Sequence, residues 1–373
     1  MIPAWIEKKR WWLEDIGAPF LITRLVLLFI GWFSQAIPPT ATMPTRGWQF
    51  SPHRLLDIWG RWDTGWYISI IQDGYGAVVN QYGQSSTAFF PAYPYLVKLI
   101  HHLLVPPGLR TTGTILFVGL LVSNAAFLGA LTLLHSLIRS RWSDRATART
   151  AALFLCVFPT SFVLSAFYTE ALYLFLSVAA FYCAEKGRWG WAGAAGGLLA
   201  VTRAQGVLIV IPLAISYWQK RRRPGWSALY LALIPVSLLL FTLFLYSLTG
   251  NPLELFHSHE GWWGGHEDGR WGALLAFPFA QTHMQWLDRL TLVLFTALSL
   301  AALRLGLPYG VWALGNTALL LAVKGNPYNN FTRYAIVVFP AFVMLALWAQ
   351  ARPRLHQAVT IGFAALLGLM MAL

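Results

Sequence analysis

Residues 113–138 read GTILFVGLLVSNAAFLGALTLLHSLI, with no Asp, Glu, Lys or Arg among them, and Arg139, Arg141, Arg145 and Arg149 follow directly. About 20 apolar residues suffice to carry a helix across a bilayer. An apolar run that hands over to clustered arginines marks a span ending on the cytoplasmic side. The rest of the chain has the same character. Of its 373 residues 57% are hydrophobic and 11% charged, and the mean hydropathy is +0.56. A soluble domain carries roughly 25% charged residues, so an ordinary cytosolic enzyme, a disordered chain and a nucleic-acid-binding scaffold are excluded. The net charge, 27 − 14 = +13, sits in short basic blocks between apolar runs, as in a polytopic membrane protein. Cys156 and Cys183 both lie within apolar runs and offer no disulfide framework or metal spacing. The 19 tryptophans suit interfacial belts, with the indole N–H near water and the ring among acyl chains.

Working outward from residues 113–138, charge parity orders the other spans. Lys8, Lys9 and Arg10 precede the first, 20–37, so the N-terminus is expected in the cytoplasm, as an anchor rather than a cleaved signal. A Pro-, Trp- and Gly-rich stretch, 38–111, follows as a folded first external loop. Its apolar tail, 93–105, carries Lys98, His101 and His102 and reads as an interfacial helix; as a span it would put the four arginines outside. Further spans are expected at 151–165, 171–183, 191–201, 207–217, 227–248, 290–303, 309–323, 335–348 and 359–373, with a second external loop at 250–286. The expected fold class is therefore all-α and polytopic, a single membrane domain of about eleven transmembrane helices. Several of these pieces are short and come in pairs that meet at an outer break.

Chemistry concentrates in the external segments. The first loop contains WGRWDTGWY from Trp59 to Tyr67. As a helix it would gather Trp59, Trp62 and Trp66 on one indole face, with Asp63 beside it. A carboxylate held among rings at a membrane surface is partly desolvated, which suits it to act as a general base. The same residues also fit a surface helix merely anchored by tryptophans. Tyr168-Thr-Glu170, Thr202-Arg203-Ala-Gln205-Gly206 and Thr332-Arg333-Tyr334 lie at outer breaks between spans. Ionisable groups near membrane depth are rare and usually functional. A guanidinium fork matches phosphate oxygens, although an arginine can also snorkel to phospholipid head groups. In the second loop His257, His259 and Glu260, with His266, Glu267 and Asp268 beyond, could contact substrate. They match no recurrent zinc spacing, so no metal is assigned. No nucleotide-binding glycine motif and no Gly-x-Ser-x-Gly is present.

These motifs resemble, in order, those of the PIG-V mannosyltransferase family and its prokaryotic relatives. Arg61-Trp62-Asp63, Gly74-Tyr75 and Ala88-Phe89-Phe90-Pro91-Ala-Tyr93-Pro94 resemble its first luminal loop. Phe158-Pro159 with Tyr168-Thr-Glu170-Ala171-Leu resembles its NP…YSEALF segment. Thr202-Arg203-Ala-Gln205-Gly206 resembles its R-S-N-G turn, with Ala-Gln in place of Ser-Asn, and Thr332-Arg333-Tyr334 its late Arg-Phe/Tyr. The resemblance implies a GT-C glycosyltransferase fold. It further implies inverting transfer of mannose from a polyprenyl (dolichyl-type) phosphate carrier to a hydroxyl of a lipid or glycolipid acceptor, on the extracytoplasmic face and without a cofactor. In this class an acid early in the first external loop acts as base; Asp63 matches it, with Asp57 as fallback. Arg333 and Arg203 would hold the carrier phosphate. Trp62, Trp66, Tyr67, Tyr168, Glu170 and Gln205 would line the sugar or acceptor pocket, with His257, His259 and Glu260 reaching it from the second loop. The membrane would be the plasma membrane of a prokaryote or the endoplasmic reticulum membrane of a eukaryote. A lipid-linked sugar flippase or secondary transporter, and an inactive subunit of a larger enzyme, remain the alternatives. Transporters place ionisable groups at the bilayer midplane, whereas here the acids collect at span ends.

Overall fold

The computed structural model describes residues 10–35, 49–76, 84–221, 225–263, 283–322 and 330–372. Among them there is helix and no strand. Among the described residues eleven helices fall on the expected spans: α1 (Ala18–Ser34), α4 (Thr112–Trp142), α5 (Arg145–Val157), α6 (Glu170–Glu185), α7 (Trp189–Ala200), α8 (Val210–Arg221), α9 (Leu233–Thr249), α11 (His283–Ala301), α12 (Leu307–Ala322), α14 (Phe339–Gln350) and α15 (Pro353–Ala372). Besides the single turn Arg54–Asp57, four others lie outside these segments: α2 (Thr64–Asp73) and α3 (Ala92–Leu104) in the first loop, α10 (Glu254–Trp263), and the short α13 (Phe331–Ala335). Five helical segments are long and apolar enough to cross a bilayer by length and composition: 10–34, 112–142, 226–249, 285–305 and 353–372. The protein is an integral membrane protein.

Local chemistry fixes the ends of these helices. Thr111 and Thr114 form a reciprocal capping box that opens α4, and Ser143 closes it in the left-handed region at φ 55°. The Asp144 carboxylate accepts the Thr147 N–H and starts α5. α7 is glycine-rich because it packs backbone to backbone: a Cβ on Gly193 would stand 2.1 Å from the Tyr230 carbonyl oxygen. Aromatic residues such as Phe154, Phe158, Phe295, Phe342 and Trp312 fill the core. By contrast only 6% of the apolar window of α15 is buried, and 22% of that ending in α1, so both turn apolar faces outward. Lipid suits such faces, since no water-driven penalty falls on them there.

The basic end gathers Asp15, Arg141, Arg145, Glu185, Lys220 and Gln350, joined by contacts such as Lys220–Glu185 at 3.3 Å and Arg145–Asp15 at 2.7 Å. The other end carries the breaks between helices. Several expected boundaries move, three of them for a clear local reason. The span from Ala151 stops at Val157, because Pro159 cannot continue a helix and residues 158–169 cross as a loop with one 3₁₀ turn. The last helix starts at Pro353 rather than Val359, proline being favoured in a first turn. α11 begins at His283, well before Leu290, because Asp288 and Arg289 are buried inward (5% and 3% exposed) and the hydropathy of the run understates it.

Candidate active site

The first loop places Asp63 through a backbone break. Trp59–Tyr67 is not one helix; a single turn, Arg54–Asp57, ends before Gly60, and α2 starts only at Thr64. Trp62 lies between them at φ 45°, in the left-handed region, and is 56% exposed, whereas Trp59 is buried. The common indole face is thus absent. Trp66 stacks on Phe89 with ring centres 5.8 Å apart, and Tyr67 packs edge-on against Phe89 and Tyr93.

The two candidate acids have different surroundings. Asp57 is consumed locally: its Oδ1 accepts the N–H groups of Phe50 and Ser51 at 2.7 and 3.0 Å, and its Oδ2 meets Arg61 at 3.2 Å. Asp63 faces the opposite partner. Arg333 Nη2 donates to Asp63 Oδ2 at 2.8 Å, across 270 positions of sequence. Asp63 keeps 26% side-chain exposure, so it is paired and partly open rather than enclosed among rings.

Glu170, 1% exposed at the start of α6, joins the remaining charges. Its Oε1 accepts Arg333 Nε at 2.6 Å and lies 2.9 Å from Arg203 Nη1, while its buried Oε2 has no hydrogen-bond partner among the described residues. Arg203 also donates to Thr169 Oγ1 at 2.9 Å. Its turn is held from the first loop, where the Ala92 N–H donates to the Val201 carbonyl at 2.9 Å. The Arg333 guanidinium lies 4.3 Å over the Tyr168 ring, and Arg203 lies 5.0 Å over Tyr334. Burial alone would weaken both guanidiniums as bases, but the Glu170 carboxylate outweighs it and holds both above their ordinary value, Asp63 adding to the effect on Arg333. Burial likewise pushes the Tyr67 and Tyr168 phenols well up, so both stay neutral hydrogen-bond donors; Tyr168 OH donates to the Arg61 carbonyl at 2.9 Å. The result is a polar cluster of two acids and two permanent cations from four separate segments.

Sequence reasoning missed the residue that sets the Arg333 turn. Asp288 accepts the Asn330 N–H at 2.9 Å through Oδ2, and the Thr332 N–H and hydroxyl at 2.7 and 2.6 Å through Oδ1. Asn330 sits at φ 71°, and the Thr332 carbonyl accepts Thr160 Oγ1–H at 3.0 Å. An acid inside the apolar run from Trp286 to Ala302 was the available signal. Gln205 is buried in the turn after Arg203. His257 does not join the cluster; its ring bonds Asn251 at 2.9 Å, and the adjacent Glu254 accepts Thr87 Oγ1–H at 2.6 Å. The side chains of His259 and Glu260, and His266, Glu267 and Asp268 altogether, lie outside the described residues. Among the described residues no three His, Cys, Asp or Glu side chains converge to hold a metal ion.

Residues 37–218 match the family described as Mannosyltransferase (PIG-V). The PIG-V resemblance holds over that stretch. GPI alpha-1,6-mannosyltransferase 2 of Rattus norvegicus is 31% identical over 180 residues, 48% of this chain and 35% of the rat protein. The Mus musculus protein of the same name is 33% identical over 157 residues, 41% of this chain and 30% of the mouse one. The matched stretch thus spans about a third of the length of these curated relatives. Among solved structures, ArnT from Cupriavidus metallidurans bound to undecaprenyl phosphate superposes with a TM-score of 0.52 at 17% identity, covering 92% of this chain and 62% of ArnT. The Archaeoglobus fulgidus oligosaccharyltransferase tethered to an acceptor peptide gives 0.53 at 14% identity, covering 99% of this chain and 56% of that one. At such identities the likeness is one of fold, and the fold is that of GT-C membrane glycosyltransferases.

Proposed function

We propose that this protein is an inverting mannosyltransferase that moves mannose from a polyprenyl-phosphate carrier to a hydroxyl of a lipid or glycolipid acceptor on the extracytoplasmic side. The observation that carries the reading is the 2.8 Å contact between Asp63 of the first loop and Arg333 of the late turn, with Glu170 and Arg203 on the same guanidinium network. The family match and the GT-C fold support the sugar-transfer class.

The chemistry follows from the charges. A glycosyl phosphate already has a good leaving group, so inversion needs one base rather than the paired carboxylates of a glycosidase. Asp63 takes the proton of the acceptor hydroxyl as its oxygen attacks the anomeric carbon. The bond from that carbon to the phosphate oxygen breaks, and its electron pair leaves with the phosphate. Arg333 and Arg203, kept cationic by Glu170, balance the charge that grows there. An incoming phosphate also competes for Arg333 and so loosens its hold on Asp63, which leaves the carboxylate free to accept a proton when the donor is in place. Tyr67, Tyr168 and Trp66 shape the pocket, Trp62 and Gln205 flank it, and the roles of His259 and Glu260 rest on the sequence reading alone. No metal or other cofactor takes part in this scheme.

The test is reconstitution of the purified protein in liposomes with labelled polyprenyl phosphomannose and lipid acceptors. A new glycosidic bond formed by the unaltered protein and not by Asp63→Asn supports the reading. Movement of the labelled lipid across the bilayer without a new bond supports a flippase instead, and neither event supports an inactive subunit.

A further inference from the structure

At the basic end, far from Asp63, the structure holds a cavity of about 550 Å³ lined by Asp15, Arg145, Arg149, Thr150, Gln350 and His356. The helices that bound it lead away from the sugar-transfer cluster. α5 runs from Arg145 toward Thr160, which bonds the Arg333 turn, and Gln350 is the last residue of α14. The cavity is therefore separate from that cluster.

Its charges are unevenly committed. Both oxygens of the fully buried Asp15 are occupied: Oδ2 by Arg145 Nε at 2.7 Å and by His135 Nε2 at 3.0 Å, and Oδ1 by Arg145 Nη2 at 3.2 Å. Arg145 Nη2 also reaches Glu14 at 3.3 Å, and Arg10 Nε meets Glu14 at 2.6 Å, so these two acids are neutralised by Arg145 and Arg10. Arg149 has only a 4.0 Å approach to Asp15 and keeps 63% of its side chain exposed. The His356 ring lies 5.6 Å from the Phe154 ring, and among the described residues its nitrogens make no hydrogen bond. A guanidinium fork and an imidazole N–H thus line one largely apolar hollow without a full set of acceptors. Its volume is that of a small-molecule site.

Two outward apolar faces stand beside it. His356 belongs to α15, whose face carries the exposed Ile361 and Leu369, and α15 packs on α1, which exposes Leu25 and Phe29. We infer that this cavity binds the phosphate headgroup of an anionic phospholipid, with Arg149 and His356 on the phosphate and the acyl chains lying along α15 and α1. Basic pockets between spans are suited to such headgroups. A free phosphate would use the same donors but gain nothing from the apolar faces, so the lipid is the favoured source.

The experiment is native mass spectrometry of the full-length purified protein with added phosphatidylglycerol, phosphatidylcholine or sn-glycerol 3-phosphate. Phosphatidylglycerol should be retained over phosphatidylcholine. Arg149→Gln should weaken it about five-fold, the worth of one cation near an anionic lipid, and adding His356→Phe, which keeps the ring against Phe154, should weaken it further. Arg188→Gln, an exposed arginine between α6 and α7, is the control and should leave binding unchanged. Equal retention of phosphatidylcholine, unchanged binding by the Arg149→Gln/His356→Phe variant, or displacement of the lipid by equimolar glycerol phosphate would each overturn the assignment.

Discussion

Replacing Asp288 with Asn tests whether one buried carboxylate holds the Arg333 turn. The side chain is 5% exposed and accepts three hydrogen bonds, two from backbone N–H groups and one from a hydroxyl. An Asn can keep Oδ1 toward Thr332, but it then turns an NH2 group toward the Asn330 N–H, donor against donor. One hydrogen bond to a charged group is worth about 1.5–3 kcal/mol, and the orphaned N–H adds a desolvation cost. The expected loss is about 3 kcal/mol, roughly a hundred-fold in the population of the native turn. Thr332→Val keeps the backbone bond and removes only the hydroxyl contacts to Asp288 and Thr291, and should cost about 1 kcal/mol. The assay pairs thermal unfolding in detergent with transfer rates in liposomes. Asp288→Asn should lower the melting temperature and reduce transfer by one to two orders of magnitude, and Thr332→Val should do both weakly. An Asp288→Asn protein with unaltered melting and unaltered transfer would show that the turn is held by something else.

Other outcomes separate the charged residues. Asp63→Asn should cut transfer about 10²–10⁴-fold, the usual worth of a general base, with little change in melting, because Asp63 is partly exposed. Asp57→Asn should behave in the opposite way, lowering stability through the lost Phe50 and Ser51 bonds while the folded fraction stays active. Arg333→Lys keeps the charge but loses the fork that spans Glu170 and Asp63; the KM for the lipid-phosphate donor should rise about ten-fold and kcat should fall. Arg24→Ala leaves Ser161, Ser165 and the Cys156 carbonyl without the buried guanidinium that now bridges them. It should cost about 3 kcal/mol by unfolding assays, with activity per folded molecule retained.

The helices were legible where chemistry is one-dimensional. An apolar run bounded by arginines has few ways to fold in lipid, so all eleven expected segments contain a helix and 93–105 is the separate helix α3. Their ends were less legible. Pro353 starts a helix by its fixed φ, and Asp288 extends one because its charge points inward, and neither effect appears in a sum of hydropathies. Arg203, Glu170 and Arg333 stood out as charges at breaks, yet their convergence on one Glu170 oxygen depends on packing among distant helices. The Trp59–Tyr67 stretch misled for a local reason: the spacing of its indoles fits a helix, but the chain takes a left-handed step at Trp62, and periodicity is blind to that. Asp57 and Asp63 look equivalent in sequence and differ only in what surrounds them.

Several crossing helices are short. α7 and α14 have 12 residues each, so each rises about 18 Å against a hydrocarbon thickness of about 30 Å. With their basic tips at one lipid surface, the opposite tips, which lie in the chain just before Arg203 (α7) and a few residues after Arg333 (α14), would stop some 12 Å short of the other. The charged cluster would then lie at the bottom of a dent in the slab, level with the upper acyl carbons. A partner tethered by its own lipid tail could offer its headgroup there by tipping sideways, without being hauled out into water.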